Sequence, residues 1–127
     1  MDAFWRTNDP RIDDEHDSLN GTLRALKAVI FYCTDRAILT EAISVVRERL
    51  RIHFVTEESV AARYDREASV ILAEDHALLL GMVDRLRALV GAPRPQREIA
   101  LKELIDALAK HDREVDVPLF RLFGARA

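Results

Sequence analysis

The chain has 127 residues, the length of one domain and enough to bury a core. Its 19 basic and 22 acidic side chains are interspersed and sum to a formal charge of −3, so it lacks the basic excess of a nucleic-acid binder. The single cysteine, Cys33, excludes an intramolecular disulfide framework and a CxxC zinc site, and it fits a reducing, cytoplasmic setting. The N-terminal stretch MDAFWRTNDPRIDDEHD has no apolar region of a secretion signal, and no run approaches a membrane span. A soluble, intracellular protein without a membrane partner is therefore expected.

Four stretches carry helical periodicity. The first runs from about Asp13 to Cys33, with His16, Leu19, Leu23, Leu26, Ile30 and Cys33 three or four residues apart. Pro10 precedes it, and Asp13, Asp14 and Glu15 place negative charge at its positive end. Cys33 reads as a packing residue near its far end, and Phe4 and Trp5 read as a cover across the bundle end.

The second stretch spans about Ala37 to Tyr64, with Leu39, Ile43, Val46, Leu50, His53, Glu57 and Val60 on one stripe and Arg47, Glu48, Arg49 and Arg51 on a solvated side. The pattern loses phase at Tyr64-Asp65, so a turn is expected there, with Asp65 or Ser69 as the next cap. The third covers about Ser69 to Val90, with Leu72, His76, Leu79, Val83, Leu86 and Val90 in phase. Gly91-Ala-Pro-Arg-Pro reads as a connector, because two prolines so close break a helix. The fourth runs from about Gln96 to Asp116, with Leu101, Leu104, Ile105, Leu108, His111 and Val115 inward and Pro118 as its stop. Short connections between four amphipathic helices predict an all-α fold, an antiparallel up-down-up-down four-helix bundle in a single domain over residues 1–127.

The four histidines of the chain, His16, His53, His76 and His111, fall one on each core stripe. A lone histidine on an apolar face is more often a hydrogen-bonded core residue than a ligand. Four of them, one per helix with none left for the surface, is how a bundle builds a metal site in its core. Glu57 is four residues after His53, on the same face, and Asp116 is five after His111. A carboxylate in phase with Val46, Leu50 and Val60 is costly to bury alone, and a cation removes that cost. Four imidazoles and two carboxylates suit a pair of divalent transition metals better than calcium.

The segments RIDDEH at 11–16, HFVTEE at 53–58, the isolated His76 and HDREVD at 111–116 resemble the hemerythrins and bacteriohemerythrins and, more broadly, the HHE cation-binding proteins. The resemblance covers about residues 10 to 117. It implies a four-helix bundle around an oxo- or hydroxo-bridged pair of iron ions that binds O2. Carried over by position, His16 and His53 would bind one iron, His76 and His111 the other, and Glu57 and Asp116 would bridge them. Manganese or zinc would satisfy the same donors.

The departures are specific. The family's third helix carries two ligand histidines four residues apart, and the first aligns with Leu72. The family's Tyr-Pro turn reads Tyr64-Asp65, a usual methionine aligns with Ala61, a usual aromatic aligns with Ala107, and Asp112 replaces an apolar residue. With Leu72 unable to ligate, solvent is the first expected substitute. Asp75 and Tyr64 are weaker candidates, either as substitutes or as partners behind the ligands.

Three functions follow from the resemblance and its departures. The first is a binding protein that takes O2 or a similar small oxidant for storage, delivery or sensing, a sensor acting through a partner protein. The second is a diiron enzyme handling O2, peroxide or nitric oxide, akin to iron-centre repair proteins in donor count, although their glutamate four residues after the last histidine is Val115 here. The third is a degenerate bundle with weak or no metal binding. The absence of a recognisable proton relay or substrate pocket favours binding over catalysis, and retention of six ligand positions disfavours degeneracy.

Overall fold

Asp9 starts the first helix, accepting hydrogen bonds from the backbone N–H groups of Arg11 and Ile12. Pro10 costs little at the first helical position, where its missing N–H would have no partner inside the helix. A computed structural model describes residues 6–126, with side chains through Gly124. Phe4 and Trp5 lie outside the described residues. Helix α1 is Pro10–Tyr32, α2 is Arg36–Tyr64, α3 is Arg66–Ala88 and α4 is Arg94–His111. A π-helical segment, Asp112–Asp116, joins α4 without a break to α5, Val117–Arg126. The described residues contain no strand, and no helix among them is long and apolar enough to cross a membrane.

Aspartates explain why three helices begin earlier than hydrophobic periodicity suggests. Asp35 caps α2 through the N–H groups of Ala37 and Ile38, and Asp65 caps α3 through those of Glu67 and Ala68. Asp65 is the whole connection between α2 and α3. Its extended backbone ends one helix while its side chain starts the next, which is why the turn needs neither glycine nor proline. Ser69 serves elsewhere, donating to the carbonyl of Glu58 at 2.9 Å.

The expected connector lies between α3 and α4, with Pro93 at the N-cap of α4, but it ends before Pro95, and Pro118 is not the expected stop. Pro95 sits inside the first turn of α4, where helix N–H groups lack partners in any case. Pro118 does not stop the fourth helical stretch, which runs on to Arg126. The missing N–H falls where the hydrogen-bond register returns from the π segment to α5; just before it, Val117 still donates five residues back, to Asp112.

α1 packs against α2 and α4, α3 packs against α2 and α4, and α5 also touches α2. The core has two apolar bodies. One includes Leu19, Leu50, Leu79 and Leu108, and the other comprises Ile12, Val60, Ala61, Leu72, Phe120 and Phe123. Each fully buried leucine or phenylalanine contributes about 1.5–3 kcal/mol. In each of α1 to α4 a metal-type residue falls between the two bodies: His16 between Ile12 and Leu19, Glu57 between Phe54 and Val60, His76 between Leu72 and Leu79, His111 between Leu108 and Phe120. A polar layer is thereby enclosed by hydrocarbon above and below.

Arg47 and Arg51 bond acidic neighbours on the outer face, as expected of a solvated side. Cys33 is half-buried at the end of α1 and packs against the larger apolar body.

Candidate metal centre

All six residues expected to carry the chemistry enter this layer. His16, His53, His76 and His111 are 2 to 4 % exposed, and Glu57 and Asp116 are fully buried. Residues five apart on an α-helix point about 140° away from each other, at 100° per residue. The π segment's hydrogen bonds, made to residues five back, bring Asp116 round to the face of His111.

The contacts fall into two groups that share both carboxylates. Nε2 of His16 is 3.4 Å from Glu57 Oε2 and 3.3 Å from Asp116 Oδ2, and His53 Nε2 is 3.3 Å from Glu57 Oε1. On the other side, His76 Nε2 is 3.2 Å from Glu57 Oε1, and His111 Nε2 is 2.9 Å from Asp116 Oδ1. One donor atom from each of His16, His53, Glu57 and Asp116 lies within 4.8 Å of the others, and the same holds for Glu57, His76, His111 and Asp116. Among the described residues, neither oxygen of Glu57 or Asp116 makes a hydrogen bond, nor does Nε2 of His16 or His53. Buried lone pairs that converge without hydrogen-bond geometry fit a cation between them.

The far side of three rings is held by carboxylates on the rim. Glu15 meets Nδ1 of His53 at 2.7 Å, Glu58 meets Nδ1 of His76 at 2.8 Å, and Asp75 meets Nδ1 of His111. Such partners fix the tautomer so that the lone pair of Nε2 faces inward, and they raise its basicity. Phe54 stacks on His76 with the rings nearly parallel and 4.0 Å between centroids, which fixes the ring plane.

Proton affinities reflect the crowding. Burial opposes charge on His16, but Asp116 and Glu57 outweigh it and push the imidazole up to about 11. His111 rises to about 9 against the same opposition, chiefly through Asp116. His53 is also raised, again against burial, by Glu57. Glu57 is held well below the carboxylate range because three imidazoles outweigh its burial. Without an ion between them, protonated rings balance the carboxylates, so metal uptake must displace protons. Asp112 behaves differently: burial first, with nearby Asp116 adding to it, lifts its carboxyl to about 7 despite His16.

The two sides open differently. A cavity of about 270 Å³ reaches His16 and His53, lined mainly by apolar side chains such as Leu23, Leu50 and Leu108, with Asn20 and Asp112 as polar members. Leu72, 1 % exposed, belongs instead to the apolar body with Phe120 and Phe123. Tyr64, a weaker candidate for that position, is 40 % exposed and stacks on Phe123 with 4.7 Å between centroids. Asp75 does not substitute for position 72. It stands behind His111, the other role considered for it.

Glu15 and Glu58 were missed as contributors because each is adjacent in sequence to a ligand and reads as a solvated carboxylate. The signal that could have found them is position: in EH at 15–16 and EE at 57–58, the neighbour projects to the rim beside the next helix. No family model, curated protein or solved structure matches the chain.

Proposed function

We propose that this chain is a hemerythrin-like non-haem diiron protein that binds O2 or a related small oxidant for storage, delivery or sensing. The observation that carries the reading is the sharing of Glu57 and Asp116 between two imidazole pairs, His16 with His53 and His76 with His111. One carboxylate oxygen of Asp116 faces each pair, as a bridging ligand requires. An antiparallel up-down-up-down bundle is supported by the order of the apolar bodies, which reverses from each helix to the next on either side of the polar layer.

A pair of ferrous ions in this position would supply electrons to a small oxidant. The chain's own residues do the rest. His53, His76 and His111 are oriented through their Nδ1 atoms by Glu15, Glu58 and Asp75. Leu23, Leu50 and Leu108 keep the approach to His16 and His53 apolar, which suits a neutral diatomic ligand and limits water. Manganese or zinc would meet the same donors, so metal identity rests on measurement.

The cavity favours a second reading, an enzyme that consumes O2, peroxide or nitric oxide, because it supplies an apolar chamber with one carboxyl group, Asp112, at its wall. The two readings separate in one experiment. Metal-free protein is titrated anaerobically with Fe(II), exposed to O2, then returned to vacuum while its absorption spectrum is followed. The binding reading predicts a spectral change that reverses. A change that persists after a single turnover selects the enzyme, and failure to take up iron rejects both.

A further inference from the structure

The proposed dimetal centre assigns two imidazoles and two shared carboxylates to the half that faces the cavity. A third carboxylate stands beside them. Asp112 opens the π segment, and its Oδ1 lies 3.7 Å from Nε2 of His16. Around that same nitrogen lie Asp116 Oδ2 at 3.3 Å and Glu57 Oε2 at 3.4 Å. Three carboxylates thus surround one ring nitrogen, which has at most one proton to offer. A cation among them resolves the excess of anionic oxygen.

We propose that Asp112 is a further ligand of the ion held by His16 and His53, an inference that rests on the dimetal reading above. Donors about 2.0–2.2 Å from one ion are about 3 Å apart at right angles and at most about 4.4 Å apart. The distances of 3.3, 3.4 and 3.7 Å around His16 all fall inside that range. Asp112 stands outside the four donors that already converge, but its side chain is 27 % exposed and borders the cavity, so it has room to rotate inward. The π segment puts Asp112 and Asp116 on neighbouring directions of one wide turn, where both carboxylates reach the same imidazole.

The two halves then become unequal: five protein ligands on the cavity side, four on the other. Asp112 occupies the direction from which a small molecule in the cavity would approach, so ligand binding there is coupled to release of this carboxylate.

The test is an anaerobic Co(II) titration of metal-free protein, read as cobalt bound per chain and as visible absorption. The unaltered chain is compared with Asp112→Asn, which preserves size, and Asp112→Leu. Loss of even an outer partner weakens metal binding about 10–100-fold. The unaltered chain should therefore take two ions, and each variant should hold one of them at least tenfold more weakly, with more intense absorption as coordination number falls. Two ions held with unchanged affinity and spectrum in both variants overturn the inference and leave the dimetal reading standing. One ion in the unaltered chain, weakened in both variants, supports Asp112 but overturns the dimetal reading. One ion indifferent to both variants, or no uptake, overturns both.

Discussion

The two halves of the centre are built from the same donors and differ in what lies behind them. His16 and His53 face a cavity with polar members, whereas His76 sits one turn from Leu72, which is buried in the apolar body of Val60, Phe120 and Phe123 and borders a separate, apolar cavity. The difference teaches that ligand type and ligand access are set separately in this fold. Helical spacing delivers the imidazoles.

The largest expected effect comes from removing what the halves share. Glu57→Leu should abolish uptake of both ions together, because each half loses a carboxylate; bound metal per chain checks it, and loss of only one ion would show that Glu57 serves one half. Leu72→His tests the half backed by the apolar body. A polar ring buried there without a partner should destabilise the metal-free protein by about 1–3 kcal/mol. That deficit should shrink when metal is bound, as seen by thermal unfolding with and without Fe(II). An equal deficit in both conditions would mean that position 72 does not reach the His76 side.

A smaller effect separates the halves cleanly. Glu15→Gln should weaken the ion at His53 about 10–100-fold, and Asp75→Asn should do the same to the ion at His111. Stepwise titration of the two variants should show different ions affected; the same ion weakened in both would refute the assignment of Glu15 to one half and Asp75 to the other.

The mildest test is pH. His16 is raised from its ordinary 6.5 to about 11 and His111 to about 9, so their contribution to stability is complete below about pH 6.5 and is lost as pH rises through those values. Glu57, held below its ordinary 4.5, contributes above that value and loses its contribution as pH falls through its lowered folded-state pKa. Metal-free protein should therefore be most stable at about pH 5–6.5 and lose stability on the alkaline side. Metal affinity should rise over the same alkaline interval, since protons no longer compete. Denaturant unfolding at stepped pH reads the first trend.

Most of the converging donor set was legible because it follows helix geometry. His53 and Glu57, four apart, had to share the face of Leu50 and Val60, and each remaining histidine sat in phase with leucines that are buried. Asp116 was singled out by its offset of five from His111 and by resemblance to a known motif rather than by periodicity, because an α-helix would turn it away from His111. Its inward position depends on the π segment, a feature that no residue spacing announces. The same segment hid the continuation past Pro118, and with it Phe120 and Phe123, which supply the wall behind Leu72. Two rim carboxylates were illegible for another reason. Glu15 and Glu58 acquire their roles only when a neighbouring helix brings a ring nitrogen to them, whereas Asp75 was already named as a possible partner behind the ligands.

The central claim is that one pair of carboxylates holds two ions side by side. X-ray absorption on protein loaded with Fe(II) under anaerobic conditions measures this directly. The account predicts two irons per chain and an iron–iron separation of about 3.5–4 Å, the usual span of paired metals. Loaded protein with a single iron, or with two irons and no iron neighbour within that distance, would contradict it.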